Sequence, residues 1–258
     1  MPGPVPVAVA ASPQEFPLGP GVRLIKDHPS GLIALYKPEG VRSHPNDAKA
    51  DAQALLTIPY DEGTECFHWT DPAGVVRHLW LLNRLDSPTS GLILCATEST
   101  LADTVKNLFE NRKVKKTYYA VVKGNARNQR GVWRDQFNIT KKQGLVRAGC
   151  GGTVIASVDV RCLEATHGRI PISLLELRPA TGRTHQLRVQ CAEHGFPIVG
   201  DATYGDFRVN REIAKTSGTK RLFLHSGKIE LSLGNTHGSF SAEYPMPAEF
   251  KELLKAYR

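Results

Sequence analysis

Short apolar runs, each stopped by polar turn residues, recur along the chain and limit its possible folds more than any other feature. Runs of this length that are rich in β-branched and apolar residues are typical of buried strands. The clearest of them cover residues 32–36, 79–82, 92–96, 118–122, 157–163, 170–177, 223–225 and 228–233. We therefore expect a chain with many short strands.

Helical spacing of apolar residues is confined to a few segments. Leu101, Val105 and Leu108 predict a helix over residues 101–112, with Thr100 as its N-cap. Further helices are expected over residues 48–56, 185–194 and 248–257, the second closed by Gly195 at its C′ position. Because strands and helices mix without a regular βαβ alternation, we expect an α+β fold.

The apolar runs, the N-terminal residues and the cysteines argue against membrane and secreted classes of protein. No apolar run approaches the roughly 20 residues that a membrane-spanning helix needs. Residues 1–20 are rich in Pro, Ala and Gly and have no basic segment before an apolar one, so they predict a flexible arm rather than a secretory signal. The five cysteines are odd in number and form no C-x-x-C pair. Reduced thiols in the cytoplasm are the simplest interpretation.

Positive charge is concentrated in one part of the chain. Residues 106–147 contain twelve basic and two acidic side chains, a net charge of +10, so the rest of the chain carries −2 of the total of +8. A local excess of this size attracts a polyanion. A solvated surface that only keeps the protein soluble is the alternative interpretation. We favour nucleic acid as the partner.

Motifs that hold common cofactors and metals are missing from the sequence. It has no G-x-x-x-x-G-K-[ST], G-x-G-x-x-G, H-E-x-x-H or G-x-S-x-G segment, and its nine histidines are scattered. Phosphate-loop, dinucleotide and zincin sites therefore lack support, and we expect no histidine-based metal site.

One acidic residue lies in a loop between two apolar runs. Arg84 and Asp86 would lie on the same side of an extended backbone, because one residue separates them. Asp86 precedes Ser87, Pro88 and Thr89, so it could instead cap a turn through their backbone. Composition alone favours the turn cap.

Five segments carry longer patterns, which follow one another along the chain. They are Lys37-Pro38-x-Gly40 with His44 shortly after; Arg84-Leu85-Asp86-x-x-Thr89-Ser90-Gly91-Leu92; Lys116-x-Tyr118-x-Ala120-x-Val122-x-Gly124; Thr181-Gly182-Arg183-Thr184-His185-Gln186-Leu187-Arg188-Val189, followed by Gly195-x-Pro197-Ile198-x-Gly200-Asp201-x-x-Tyr204-Gly205; and Arg221-Leu222-x-Leu224-His225. These segments resemble, in order, the motifs of the RluA family of RNA pseudouridine synthases. The resemblance runs from about residue 32 to the C-terminus and outweighs the turn cap as an interpretation of Asp86.

The resemblance implies a fold and a reaction. The fold would be α+β, with a mixed, mostly antiparallel sheet, flanking helices and a central catalytic cleft. Residues 21–258 would form one catalytic domain without a separate S4 domain. The reaction would convert a uridine in ribosomal or transfer RNA to pseudouridine without a cofactor. Asp86 would attack as a nucleophile or remove a ribose proton, and the sequence does not choose between these roles.

The resemblance also implies roles for other residues. Arg188 would pair with Asp86, and Tyr118 would stack on the target base and assist proton transfer. Arg84 would fill the space left by the flipped base. The remaining RNA contacts are expected from Arg183, His185, Lys113, Lys115 and Lys116.

Two departures and one competing function remain. Asn83 stands where the family usually has His, and Ser226 where it usually has Ala, so both residues bear on substrate fit. A catalytically silent RNA-binding or RNA-folding factor is the alternative, but it would not need Asp86. We expect structured RNA as the partner, no obligatory protein partner, a monomer, and a cytoplasmic location.

Overall fold

The structure is a computed structural model that describes residues 16–45, 49–142, 145–234 and 238–258. Thirteen strands form in these ranges: β1 (Arg23–Asp27), β2 (Leu32–Lys37), β3 (Tyr60–Asp61), β4 (Cys66–Thr70), β5 (Val76–Leu81), β6 (Ser90–Ala96), β7 (Lys115–Lys123), β8 (Arg130–Lys142), β9 (Leu145–Cys150), β10 (Val154–Ala165), β11 (Ile172–Pro179), β12 (Leu224–Ser232) and β13 (Ser239–Glu243). The same ranges hold four helices of eight or more residues: α1 (Ser99–Glu110), α2 (Gln186–Glu193), α3 (Phe207–Ser217) and α4 (Ala248–Ala256).

All the strands belong to one sheet. Its main path runs β3-β4-β5-β6-β12-β7-β11-β10-β8-β9, with β2 beside β6 and β1, and β13 beside β12. The pairing of β6 with β12 is parallel, and the other described pairings are antiparallel. This confirms the expected α+β fold with a mostly antiparallel sheet.

Strand β6 anchors the centre of the sheet. Every residue of this strand is buried. Ile93 and Cys95 pack into one hydrophobic cluster, whereas Leu92 and Leu94 pack into another on the opposite face. A strand buried on both faces reads as a continuous apolar run, which is why the sequence predicts it well. The loop that precedes β6 therefore starts from a rigid base.

The predicted helix over residues 48–56 is wrong. Residues 49–56 form turns and bridges, and Arg42 exchanges backbone hydrogen bonds with Gln53 and Leu55 at 2.7 and 2.8 Å. The Asp51 carboxylate accepts a bond from the Gln53 amide at 2.8 Å, which favours a turn over a helix. Leu55 and Leu56 are fully buried, so tertiary packing overrides the weak helical pattern.

Other boundaries also differ from the prediction. Helix α1 begins at Ser99 with Glu98 as its N-cap, so Thr100 is not the cap. Strands β1, β3, β4, β8, β9 and β13 and helix α3 were not expected from the sequence. Residues 1–15 of the predicted arm lie outside the described residues. Within 16–20, Leu18 bridges to Leu56 and packs on the core, because its apolar side chain finds a buried partner there. Among the described residues, no helix has the length and apolar character that a membrane crossing requires.

Candidate active site

Asp86 lies in the loop that joins β5 to β6, and neighbouring backbone holds this loop on both sides. The Ser43 hydroxyl donates to the Leu85 carbonyl at 2.8 Å and accepts from the Leu85 amide at 3.0 Å. The amide of Thr89 donates to the Asp86 carbonyl at 2.9 Å and closes a turn. The Asn83 side chain accepts a bond from the Leu94 amide at 2.8 Å, so this departure from the family pattern anchors the loop to β6.

Lys37 holds the same loop through hydrogen bonds from its side chain. Its ammonium group is buried and donates to the carbonyl oxygens of Pro38, Val41 and Ser87 at 2.9, 2.7 and 3.0 Å. All three donors of the group are thereby satisfied. Burial lowers the pKa of Lys37 to about 7, against the raising effect of Asp86. These hydrogen bonds tie the turn after β2 to the residue that follows Asp86.

The Asp86 carboxylate is bound by the arginine that the sequence predicts. Arg188 Nη1 donates to Asp86 Oδ2 at 2.9 Å, and the Asp86 side chain keeps 27% of its exposure. The other edge of the guanidinium forms a bidentate pair with Asp201, from Nε to Oδ2 at 2.7 Å and from Nη2 to Oδ1 at 2.8 Å. Planar guanidinium groups suit this geometry. Arg188 thus lies between two carboxylates, one open to solvent and one buried.

Asp201 fixes this arrangement, although no role was expected for it. Its side chain is fully buried and also accepts bonds from the amides of Thr203 and Tyr204, at 2.8 and 3.0 Å. Burial opposes ionisation of Asp201, but the hydrogen bonds and charge of Arg188 outweigh it and hold the pKa of Asp201 below its usual value. Burial likewise opposes the charge on Arg188, and the two carboxylates raise its pKa instead. The available sequence signal was its place after Gly200 in the quoted motif, 13 residues beyond Arg188.

His185 lies against Asp86 at the start of α2. It is the N-cap of α2 and has the left-handed backbone angles φ 53° and ψ 19°, which cost about 1 kcal/mol or more for a residue other than glycine. Its Nδ1 is 2.9 Å from the Tyr204 hydroxyl, and its Nε2 is 3.9 Å from Asp86 Oδ2. Burial lowers the pKa of His185, against the raising effect of Asp86, so the ring is neutral near pH 7. A neutral ring adds no charge for binding phosphate.

Tyr118 lies on β7, directly opposite Ser226 of β12 and Leu177 of β11. Its side chain is half-buried and packs against two of the hydrophobic clusters. Burial raises the pKa of Tyr118 to about 12, with Ser226 lowering it and Asp86 raising it. The phenol is therefore protonated at neutral pH and can donate a hydrogen bond.

The predicted RNA-binding residues divide into two groups. Arg84, Arg183, Lys113 and Lys115 are exposed. Lys116 is half-buried: its ammonium donates to the Thr181 carbonyl at 3.2 Å and lies 6.0 Å from the centre of the Phe109 ring. Burial lowers the pKa of Lys116 to about 8. Lys116 therefore holds the turn that leads into α2, whereas the four exposed side chains are accessible to a ligand.

A cavity of about 640 Å³ opens beside the carboxylates. Its lining includes Ser87 and Pro88 of the Asp86 loop, His185, Arg188 and Arg221. This volume lies in the range of pockets that take small molecules, roughly 300–1,000 Å³. In the described part of the chain, no group of three or more His, Cys, Asp or Glu side chains is placed to hold a metal ion.

A buried histidine of β12 is hydrogen-bonded to the first residue of β6. His225 Nε2 is 3.3 Å from the Tyr244 carbonyl, which only accepts, so Nε2 carries the proton. His225 Nδ1 then accepts from the Ser90 hydroxyl at 2.9 Å, and Ser90 in turn accepts from Arg221 Nη2 at 2.7 Å. This order of donors and acceptors requires a neutral imidazole.

We expect folding stability to fall between about pH 6.5 and pH 4 because of His225. Burial lowers its pKa from 6.5 to about 4, so in this window the unfolded chain binds a proton that the folded chain does not. The loss should reach roughly 3 kcal/mol at the acid end of the window. His225→Gln can keep both hydrogen bonds and removes the titration. Urea unfolding at several pH values should show a shallower pH dependence for His225→Gln, and an unchanged dependence would contradict the assignment.

Comparison with known proteins gives a consistent set of relatives. Residues 31–193 match the RNA pseudouridylate synthase family. Ribosomal large subunit pseudouridine synthase D of Borreliella burgdorferi is 33% identical over 222 residues, which cover 84% of this chain and 63% of that protein. A Bacillus subtilis protein named uncharacterized RNA pseudouridine synthase YhcT is 30% identical over 237 residues, which cover 88% of this chain and 69% of that protein. tRNA pseudouridine synthase C of Yersinia pestis is 34% identical over 166 residues, which cover 60% of this chain and 64% of that protein. The chain thus spans less than two thirds of two of these three relatives.

Solved structures show the same fold. Human RNA Pseudouridylate Synthase Domain Containing 4 has a TM-score of 0.64 and 22% identity, over 91% of this chain and 92% of that one. Human RNA Pseudouridylate Synthase Domain Containing 1 has a TM-score of 0.65 and 22% identity, over 91% of this chain and 86% of that one.

Proposed function

The chain belongs to the RNA pseudouridylate synthase family, and we propose that it isomerises specific uridines in ribosomal or transfer RNA to pseudouridine. The observation that carries this proposal is the Asp86 carboxylate, which Arg188 binds at 2.9 Å beside the cavity and whose charge acts on the Tyr118 phenol. The relatives named for ribosomal and for transfer RNA support these two substrate classes.

The reaction exchanges one bond to the ribose for another. The N1–C1′ bond breaks, the base rotates, a C5–C1′ bond forms, C5 loses its proton and N1 gains one. Asp86 acts as the carboxylate that attacks the nucleotide or removes a ribose proton. Arg188 and His185 both approach Oδ2, which leaves Oδ1 to face the substrate. No group outside the chain needs to supply electrons to this isomerisation.

The neighbouring side chains position the nucleotide. Tyr118 stacks on the base and assists proton transfer late in the reaction, and its protonated phenol donates a hydrogen bond to the base. Arg84 is exposed two residues before Asp86 and fills the space of the flipped base. Arg183 binds phosphate at the start of α2. His185 is assigned to the Asp86 side of the cleft, because its ring is neutral and hydrogen-bonded to Tyr204.

The exposed basic residues from the end of α1 to the start of β7 supply affinity for the RNA backbone. Arg112, Lys113 and Lys115 are exposed in this segment, whereas Lys106 and Lys123 pair with Glu65 and Asp206, both at 2.7 Å. Phosphate contacts give affinity without sequence choice, so RNA shape and a few base contacts select the target. The protein acts in the cytoplasm as a monomer, without an obligatory protein partner.

RNA binding should weaken steeply as salt rises, because phosphate contacts release counterions. Replacing Arg112, Lys113 and Lys115 together by Gln should reduce the slope of log affinity against log salt by about 2. Filter binding of transfer RNA at several salt concentrations measures this slope. The control replaces Lys251 and Lys255, two exposed lysines of α4, by Gln and should keep the wild-type slope. A flat salt response of the wild-type protein would contradict the role of the basic segment.

The activity itself is tested with purified protein and unmodified ribosomal and transfer RNA. Digestion to nucleosides and mass spectrometry should show pseudouridine in at least one of the two RNA classes. RNA that is bound but never modified would contradict the proposal and favour the catalytically silent RNA-binding factor.

A further inference from the structure

One buried hydroxyl group beside the catalytic cleft lacks a partner. Ser226 is fully buried, and its Oγ is the one buried side-chain oxygen or nitrogen in the described ranges without a hydrogen-bond partner. Buried polar groups are almost always paired, because leaving one unpaired is costly. An apolar residue of similar size would avoid that cost, so the hydroxyl calls for an explanation.

The sheet places this hydroxyl between two parts of the candidate site. Ser226 of β12 pairs with Gly91 of β6 on one side and with Tyr118 of β7 on the other. A Cβ atom on Gly91 would lie 2.3 Å from the Ser226 carbonyl oxygen, so the backbone approaches closely at the end of the Asp86 loop. That contact fixes the position of Ser226 relative to Asp86.

Tyr118 is the polar neighbour that this geometry offers. Residues directly opposite each other on antiparallel strands project to the same face, with Cβ atoms about 4.5–5.5 Å apart. The electrostatics agree, since the Ser226 hydroxyl lowers the pKa of Tyr118 whereas burial and Asp86 raise it. A hydroxyl has this effect when it donates toward the phenol oxygen.

We propose that Ser226 is a positioning residue that donates a hydrogen bond to the Tyr118 phenol oxygen and thereby aims the phenol O–H at the target base. This inference rests on the proposed function, because it assigns a purpose to the direction of the Tyr118 hydroxyl. Ser226 is fully buried and acts through Tyr118, without touching the RNA. The Tyr118 phenol oxygen accepts the hydrogen bond from Ser226, and its O–H therefore remains available to donate to the substrate.

A double-mutant cycle tests whether Ser226 acts through Tyr118. Ser226→Ala should slow single-turnover pseudouridine formation about 5- to 10-fold, the effect of one neutral hydrogen bond. In the Tyr118→Phe background the same change should alter the rate by less than about 2-fold, because no phenol oxygen is left to accept the bond. An equal slowing in both backgrounds, or no slowing in either, would overturn the proposal.

A matched control separates this effect from loss of stability. Ser173 is also a fully buried strand serine, but its hydroxyl pairs with the Gly124 carbonyl and the Ala126 amide at 2.7 and 2.9 Å. Ser173→Ala should lower the melting temperature and leave the pseudouridine rate per folded molecule within about 2-fold of wild type. A rate loss in Ser173→Ala equal to that in Ser226→Ala would show that buried serines act only through stability and would overturn the proposal.

A spectroscopic readout keeps the test independent of activity. In free protein labelled with ¹³Cζ-tyrosine, the Tyr118 resonance is assigned by its loss in Tyr118→Phe. Ser226→Ala should shift that resonance, and Ser173→Ala should not. An unmoved resonance overturns the contact between Ser226 and Tyr118, even if the protein proves active. A shifted resonance in a protein that makes no pseudouridine supports the contact and assigns the failure to the proposed function.

Discussion

Asp86→Asn is expected to lower the rate of pseudouridine formation by about 10³-fold or more. An amide neither attacks the nucleotide nor removes a ribose proton, so both candidate mechanisms lose their reacting group. The amide oxygen still accepts from Arg188, which keeps the loop in place. RNA affinity should fall by less than about tenfold, since the exposed basic residues supply it.

Single-turnover assays and filter binding measure the two effects separately. Asp159→Asn is the matched control, because this carboxylate is exposed on β10 and lies outside the candidate site. The control should keep the wild-type rate. Turnover near the wild-type rate in Asp86→Asn would remove Asp86 from the reaction.

Asp201→Ala is expected to destabilise the fold by about 3–5 kcal/mol, the usual result of leaving a buried charge without its partner. The substitution removes both bonds to Arg188, whose side chain is 6% exposed, and the acceptor of the Thr203 and Tyr204 amides. The melting temperature should drop by roughly 6–20 °C. Pseudouridine formation should fall as well, because Arg188 loses the contact that orients it toward Asp86.

Two comparisons identify the cause of that loss. Asp206→Ala removes an N-cap and an ion pair with Lys123 from a partly exposed carboxylate, so it should cost only about 1 kcal/mol. Adding Arg188→Met to Asp201→Ala should restore part of the lost stability, since no buried charge then remains. A melting temperature of Asp201→Ala within about 2 °C of wild type would contradict the buried pair.

The local parts of the fold were predictable where one physical signal dominates. β2 and β6 are continuous apolar runs because both faces of the sheet are buried there. Gly195 closes α2 with a φ of 81°, as its position after the helix predicts. Helix α3 was missed, although Asp206 caps its start and Gly218 ends it with a φ of 72°. These two cap signals were readable in the sequence.

The long-range arrangement was beyond any local pattern. β12 lies between β6 and β7, although at least 100 residues separate it from either strand along the chain. The predicted pairing of Arg188 with Asp86 came from the family resemblance, and the structure places the two side chains 2.9 Å apart. Asp201 was missed because its role depends on a guanidinium shared between two carboxylates. The spacing of these residues in the sequence does not predict that one guanidinium binds both carboxylates.

The basic segment, residues 106–147, is a second case in which local sequence does not predict the long-range contacts. Its excess of basic residues predicts a polyanion partner, but sequence alone does not say which side chains remain available. Lys116 turns inward to the Thr181 carbonyl, and Lys106 and Lys123 are paired with acidic residues from elsewhere in the chain. The expected RNA surface is therefore narrower than the basic segment.

A map of pseudouridine across all cellular RNA tests the central claim most directly. The map compares cells that lack this protein with cells complemented by the wild-type chain or by Asp86→Asn. The account predicts that specific ribosomal or transfer RNA sites disappear in the deletion, return with the wild-type chain and stay absent with Asp86→Asn. Sites that return equally with Asp86→Asn, or a map that is the same in all strains, would contradict it.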